Sequence, residues 1–585
     1  MRDVGPVVAV SIELDSPLER LASAAARVGF TKRVEEDIGD LLAQFGLDGR
    51  AAASVTVRPA DRLIRIRLQG KLLPYPPRLL RQLWLVRAPR RLREVAALEP
   101  GTSRSGFPDD WLRSYLEAVR SDDYPAVALA LKFLRSLVAA LVRDRPASIL
   151  PWDGGSSRLG LAWDGLDDVR LSVVLATLLD LGMGALPMPL LRRLVEETAV
   201  MTLEDAAEIC FAQMRPTRLE IRLHPDYIEA MNDGEPIFKP TDFYDQHIDQ
   251  SLRGQMVALE GRLFAEVGVR LPAPVLVPDP DSDQGVIALR VNGLDGIPIR
   301  GLEQGTVFVP LPHADLAQMG VHGTPALDPA GRNFGTEVRE QDREILRGPA
   351  FLDLRGFFFE ALYAELRRQA YRLICVEDVR GRLGSLAEAF PELAAQLGLQ
   401  GISPELLTRI LRALLREGIS IRDLRSIAER LVDFETIPMP PLGCDVIDDR
   451  IPCPSEATPG WPAYLAFVRT GLKRQLSHQY GRQGRLRAYV LDSKLESQFD
   501  RSDTAPGFAD PLAMDPEKES LRDKLWTRIS AGTAEPDLIL TSTSARLAVR
   551  ETIASEFPDL PVLAAGELRP DLLVNVDRVA TIDTR

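Results

Sequence analysis

Between Glu405 and Val432 the order of apolar and polar residues spells out two helices and the joint between them. Leu407, Ile410, Leu411, Leu414 and Leu415 recur at steps of three and four, laying one apolar stripe along a helix and turning Arg409, Arg412 and Arg416 away from it. Gly418 follows, a residue that takes the positive φ of a helix end at little cost. Ser420 is placed to cap a second helix, with Asp423 answering its backbone amide and Ile419 stapling onto Leu424. That second helix buries Leu424, Ile427 and Leu431.

The same reading extends along the chain and predicts an α+β, multi-domain protein. TRLEIRLHP (217–225) alternates as a strand, 247–268 has helical periodicity, and PAPVLVPDP and GVIALRVNG read as two more strands. These belong to a mixed α/β first subdomain over 201–374. Inside it, 301–344 is turn-rich and predicts a small insert with GTVFVPLP as a strand, and 348–374 predicts a long closing helix. A helical subdomain fills 375–434. Residues 435–462 hold seven prolines without periodicity and read as a linker. The last unit, 463–585, alternates helices and strands, an α/β unit of the ferredoxin-like sandwich type.

Residues 1–200 echo what comes later. LLAQFGL (41–47) answers LFAEVGV (263–269), RLIRIRLQG (62–70) answers GVIALRVNG (285–293), and LATLLDLGM (175–183) answers LRALLREGI (411–419). Two readings stand: a degenerate copy of the first and helical subdomains, or the chance likeness of amphipathic helices that end in Gly. Strand order within 15–90 and 245–310 discriminates them.

At 585 residues, with 45% hydrophobic and 26% charged residues, the chain is too long for one core. Its formal charge of −13 has acids and bases interspersed, which argues against a nucleic-acid partner. The Arg-rich stretch 79–93 reads as a solvated helix face. Four cysteines exclude a disulfide scaffold and fit a reducing, cytoplasmic setting. The first residues lack the basic start and apolar core of a signal peptide. Ala126–Val142 carries Lys132 and Arg135 and reads as a buried amphipathic helix, and Leu171–Leu191 is interrupted by Asp180, Gly182, Gly184, Pro187 and Pro189. Membrane association is therefore expected only through partners.

Motifs for chemistry do not appear. There is no phosphate-binding G-x-x-x-x-G-K-S/T loop, no G-x-G-x-x-G, no G-x-S-x-G and no H-E-x-x-H. His224, His247, His313, His322 and His478 are scattered without metal-ligand spacing, and Cys444 and Cys453 stand nine apart in the proline linker without a nearby His. Asp448 with Asp449, and Asp164, Asp167 and Asp168, read as solvated turn residues. No catalytic residue, metal or cofactor is expected, and a binding surface is the better place for function.

The helical pair with its I-R-D-L-R start resembles the cytoplasmic domain of the FHIPEP family, the export-gate proteins of flagellar and type III secretion systems. VEDVRGRLGSLAEAFPELAAQLG (376–398) resembles the family's preceding helices. LRAYVLDSKLESQ (486–498), PDLILTSTSARLAVRETI (536–553) and FPDLPVLAAGELRPDLLVNVDRVATI (557–582) resemble its terminal subdomain in order and spacing. The resemblance covers roughly 220–585. It implies the soluble half alone, because the family's multi-helix membrane portion and its signature loop have no counterpart in the sequence.

The resemblance also implies a site. Family members dock chaperone and substrate complexes in a cleft between the first and inserted subdomains, around an Asp-Pro-Ala-Phe-Gly stretch and a Thr-His-Leu on the closing helix. Asp328, Pro329 and Ala330 match the start of that stretch, and Phe334 and Gly335 match its end after the insertion of Gly331 to Asn333. Glu360, Ala361 and Leu362 stand at the second place, where a carboxylate would repel acidic partners. An Asp-Pro pair also simply builds a turn. Three consecutive residues on a helix spread over about 200°, so Phe357, Phe358 and Phe359 cannot all face one core. The resemblance implies secretion chaperones, substrates or export-apparatus components as protein partners, and a homo-oligomeric ring. The other readings are a scaffold without a transport role, and an enzyme whose site is assembled from distant segments.

Overall fold

The computed structural model describes residues 7–73, 124–144, 174–179, 188–198, 206–210, 219–231, 250–436, 461–500, 538–573 and 576–582, with short breaks inside several of these spans. They divide into two compact units, Met1–Ala265 with Arg270–Leu373, and Glu266–Val269 with Ile374–Arg585. The proline linker with Cys444 and Cys453, the 79–93 stretch, and most of Leu171–Leu191 lie outside the described residues. Among the described residues no helix is long and apolar enough to cross a membrane.

The first unit opens with β1 (Val7–Leu14), α1 (Glu19–Arg27), α2 (Phe30–Gln44), β2 (Arg50–Val57), β3 (Ile64–Leu68) and β4 (Lys71–Leu73). The sheet order is β2-β1-β3-β4, with β1 parallel to β2 and antiparallel to β3. Val10, Ile12 and Leu14 alternate inward beside Ile64, Ile66 and Leu68, so a period-two pattern puts one apolar face under the helices. Next come α3 (Tyr124–Asp144) and α4 (Met188–Glu197). Leu134, Leu137, Val138 and Leu141 of α3 are buried and Lys132 is exposed. Arg135 of α3 holds Asp37 of α2 through two hydrogen bonds of 2.5 and 2.6 Å.

A second sheet follows: β5 (Leu219–Leu223), α5 (Pro225–Met231), α6 (Gln250–Val267), β6 (Pro274–Pro278), β7 (Val286–Val291), β8 (Leu294–Asp295) and β9 (Ile299–Arg300). Its order is β6-β5-β7-β8, with β9 also on β7; β5 is parallel to β6 and antiparallel to β7. Strand for strand this is the order and direction of the first sheet. Leu14 faces Ile64 and Val57 there, and Leu223 faces Ile287 and Pro278 here. Both antiparallel hairpins turn on a left-handed pair, Gln69–Gly70 and Asn292–Gly293, and Gln69 and Asn292 are the non-glycine residues with positive φ among those described.

The insert forms its own three-stranded sheet from β10 (Thr306–Val309), β11 (Gly323–Leu327) and β12 (Phe334–Arg339), ordered β10-β12-β11, with α7 (His313–Gln318) across the connection. The sequence pattern had shown only β10. Val307, Val309, Leu316, Val321 and Val338 make its core. The closing helix, α8 (Leu354–Arg368), is shorter than the predicted 348–374. Leu352 bonds Phe308 as a strand, so the helix waits for Asp353, whose carboxylate accepts the Gly356 amide at 2.7 Å.

The second unit begins with α9 (Val376–Ala389), α10 (Pro391–Leu399), α11 (Pro404–Arg416) and α12 (Leu424–Thr436). Leu407, Ile410, Leu411, Leu414 and Leu415 are buried as their spacing requires, and Gly418 takes φ +68°. The Gly418 amide donates to Leu415 and the Ile419 amide to Leu414, each at 2.9 Å, closing the helix end. One detail differs from the sequence expectation. Asp423, not Ser420, caps α12, accepting the Ser426 amide at 3.0 Å; Ser420 lies too far ahead of Leu424 and bonds the Arg422 amide instead. Arg412, turned away from the apolar stripe, is nevertheless buried, its guanidinium donating to the Ile374 carbonyl at 2.5 and 3.1 Å.

The unit continues with α13 (Trp461–Gly471), α14 (Lys473–Tyr480), β13 (Leu486–Leu491), α15 (Ser493–Asp500), β14 (Leu538–Thr541), α16 (Arg546–Ile553), β15 (Val562–Ala564), α17 (Pro570–Leu573) and β16 (Val576–Ile582). The strand order is β15-β14-β13-β16 and all three pairings are parallel. The ferredoxin-like expectation is therefore corrected. A ferredoxin-like sandwich mixes antiparallel pairs, whereas helix-containing crossovers here return each strand in the same direction.

Four charges are buried together in this unit. Arg469 grips Glu567 through both its Nε (2.6 Å) and Nη2 (2.7 Å) and reaches Glu417 at 3.0 Å. Arg546 donates to both oxygens of Glu417 at 2.7 and 2.9 Å. Burial alone would raise the Glu417 carboxyl, but the Arg469 and Arg546 charges outweigh it and hold the group below the ordinary carboxylate range. Removing one partner leaves a buried charge unpaired, so Arg469→Ala is expected to cost about 3–5 kcal/mol, read from urea unfolding. With the folded pKa of Glu417 depressed, its contribution is present above the unfolded pKa of about 4.3 and is lost as pH falls through the lower folded value. Glu417→Gln should therefore flatten the acid limb of stability against pH.

Candidate partner-binding cleft

Antiparallel β11 and β12 form a hairpin that ends with Leu327 opposite Phe334. Asp328 opens the turn, its carbonyl accepting the Gly331 amide at 2.8 Å, and Gly331 supplies the φ of +69° that the turn needs. The turn reading of the Asp-Pro pair therefore describes the backbone. The half-buried Asp328 also lines a cleft, together with Arg300, Leu302, Leu327, Glu337 and Phe357. Its lining comes from β9 and the two residues after it, from the inserted hairpin and from Phe357 of the closing helix.

Gly335 does not line this cleft. A Cβ there would lie 2.4 Å from the Phe308 ring. The glycine is there for packing, letting Phe308 lie across β12 and meet Phe357 edge-on at 5.6 Å between ring centroids. Phe334 begins β12, and its side chain lies outside the described residues. Glu360 is on the closing helix but faces α6: Arg262 donates to it at 2.7 Å and stacks 3.8 Å over the Tyr363 ring. Both partners of that pair are more than 40% exposed, so it contributes only about 0–1 kcal/mol. Of the four residues singled out by sequence, Asp328 lines the cleft, Gly335 packs under Phe308 and Glu360 pairs with Arg262, while the Phe334 side chain lies outside the described residues. Of the phenylalanine run, Phe357 and Phe358 are buried and Phe359 is half-buried.

Sequence reasoning missed the polar groups that give the cleft its character. Glu337 is buried and accepts the Glu303 amide at 2.6 Å and the Thr306 hydroxyl at 2.5 Å. Arg300 donates to the Gln284 carbonyl at 2.9 Å and to Glu303 at 3.3 Å. Burial, and next the Glu337 carboxylate, push the Tyr227 phenol well above its ordinary range. The Arg300 Nε is buried without a hydrogen-bond partner of good geometry among the described residues. Alternation in EVR and in the β9 dipeptide was the available signal, but nothing in one sequence says that the two strands face each other.

Two carboxylates of the lining, Asp328 and Glu337, stand against one guanidinium, Arg300, so the cleft carries a net negative charge. It encloses about 20 Å³, room for about one water. Such a recess is too small to engulf a ligand, and the polar side chains at its lining are those of Arg300, Asp328 and Glu337. Among the described residues no cluster of His, Cys, Asp or Glu is arranged to hold a metal.

The model of the FHIPEP family matches residues 238–572. Invasion protein InvA of Salmonella typhimurium (strain LT2) is 24% identical over 328 residues, covering 54% of this chain and 44% of InvA. Flagellar biosynthesis protein FlhA of Bacillus subtilis (strain 168) is 21% identical over 302 residues, 48% of this chain and 39% of FlhA. The chain thus spans less than half the length of these relatives. Among solved structures, the Chlamydia pneumoniae CdsV protein aligns with a TM-score of 0.50 at 18% identity, over 62% of this chain and 97% of the CdsV chain. That likeness is one of fold, a mixed α/β architecture with several sheets and many helices.

Gly335→Ala should force Phe308 off β12 and destabilise the insert by about 1–3 kcal/mol. Thermal unfolding measures the loss, and Phe308→Leu in the same chain should recover part of it.

Proposed function

Because the chain belongs to the FHIPEP family, with residues 238–572 matching its model, we propose that it is a protein-interaction module of a type III or flagellar export system. It binds export substrates, their chaperones or components of the apparatus, and does so without covalent chemistry. The family match carries this reading, and the acidic cleft at Asp328 and Glu337 supports it. A small recess edged by carboxylates suits the basic and hydrogen-bond-donating groups of a docked protein better than a small molecule. The exposed Glu360–Arg262 pair extends the charged surface beside it.

The domain reading follows the same line. A first subdomain over 201–374 carries the insert at 301–344, a helical subdomain occupies 375–434, a linker 435–462, and an α/β unit 463–585. Residues 1–200 are a degenerate second copy of the first and helical subdomains. The copy is supported by the shared strand order, by the equivalent registers at Leu14 and Leu223, and by the paired left-handed turns Gln69–Gly70 and Asn292–Gly293. The helical part of the repeat rests on sequence, since Gly182 lies outside the described residues. Assembly as a homo-oligomeric ring and a cytoplasmic location belong to this proposal.

Affinity capture from native lysate with mass spectrometry, run beside a sizing profile of the purified protein, tests it. Recovery of secretion chaperones, substrates or apparatus proteins is expected; recovery of metabolites or nucleic acid alone overturns the reading. Phe334→Ala, Glu360→Lys and Asp328→Lys should each weaken capture several-fold, about 1 kcal/mol or more for an interface contact of this kind. Capture unchanged by all three would remove the cleft from the account.

A further inference from the structure

Resting on the two-copy reading above, we propose that the outer edge of β2 is a docking strand for an extended polypeptide segment of another protein. Among the described residues β2 pairs only with β1. The Arg58 amide donates to the Leu14 carbonyl at 2.9 Å, so even-numbered residues along β2 turn their backbone groups toward β1. Ala51, Ala53, Val55 and Val57 therefore turn theirs outward.

The second sheet carries the same edge in a closed form. There the Asp279 amide donates to the Leu223 carbonyl at 2.8 Å, the bond equivalent to Arg58–Leu14. Through the registers of Leu14 with Val57 and Leu223 with Pro278, Val57 corresponds to Pro278 and Ala53 to Pro274. Those prolines stand at outward positions and carry no N–H, which is how natural sheets blunt an edge. No outward position of β2 is a proline, its only charged residue is Arg50, and it runs eight residues against five in β6.

The demand at this edge is visible in one bond. The Ala53 amide, which no strand meets among the described residues, is answered by the Glu35 carboxylate of α2 at 2.9 Å. The side chain stands in for the carbonyl of a further strand. A row of outward donors and acceptors at strand spacing is satisfied by main chain, and the small side chains of Ala51, Ala52, Ala53 and Ser54 leave room for larger neighbours. Glu35 competes for the Ala53 amide, so the carbonyl of an incoming segment must displace its carboxylate. A second copy of this chain fits less well, since β2 against β2 would set alanines against Ser54, Val55 and Thr56 and bury little apolar surface.

The test is amide hydrogen exchange of the 50–57 segment, followed by mass spectrometry, with an acetylated decapeptide of alternating valine and lysine as probe. Exchange should slow by about tenfold on adding the peptide, and a version of the peptide with two prolines should have no effect. Ala53→Pro and Val57→Pro should abolish the slowing while circular dichroism stays native, and Glu35→Ala should bring it on at lower peptide concentration. Absence of slowing, slowing that follows the protein's own concentration instead, or slowing that persists in folded proline variants overturns the docking edge. If both proline variants unfold, the alignment of Ala53 with Pro274 fails and with it the two-copy reading; the Glu35→Ala arm then decides the edge alone.

Discussion

The geometry of the first unit depends on the double pinning of one short strand, Leu219–Leu223, parallel to β6 on one side and antiparallel to β7 on the other. A slip of one residue would turn Leu219, Ile221 and Leu223 from core to solvent, so burial fixes the register. That register carries β7 into the Asn292–Gly293 turn and places β9, and so Arg300, beside the inserted hairpin. The acidic cleft is a consequence of where β9 ends up, because its two walls share no local sequence.

In the second unit a different constraint applies. Arg469, Glu567, Glu417 and Arg546 come from four separate elements, and Arg469 and Glu567 have no exposure at all. A balanced set of two cations and two anions is tolerated in a core only when each charge is hydrogen-bonded from more than one side. The arrangement fixes the end of α11, where Glu417 sits, against α13, α16 and the turn after β15. Replacing it with apolar side chains would not necessarily cost stability, but it would lose the directional bonds that allow one packing of those elements.

Proline use separates the two similar sheets. Pro274 and Pro278 remove outward N–H groups from β6, while β2 keeps its own and borrows the Glu35 carboxylate for one of them. Among the described residues the same backbone plan thus carries prolines at the outer edge in one case and amides without prolines in the other.

The chain's own residue order determined the helical pair at 405–432, including the left-handed Gly418, because helix periodicity and its stop signals are local. It also determined the strands at 219–223 and 286–291, whose alternation needs no partner to be recognised. Tertiary structure decided what lay between elements. Arg412 reads only as a residue off the apolar stripe until the Ile374 carbonyl takes its guanidinium, and Gly335 reads as part of a motif until Phe308 is seen across it. The terminal sheet became parallel, and Glu337 joined Arg300 and Asp328, through contacts between residues far apart in the chain. Such contacts leave no mark on the spacing of neighbours, which is all that a single sequence displays.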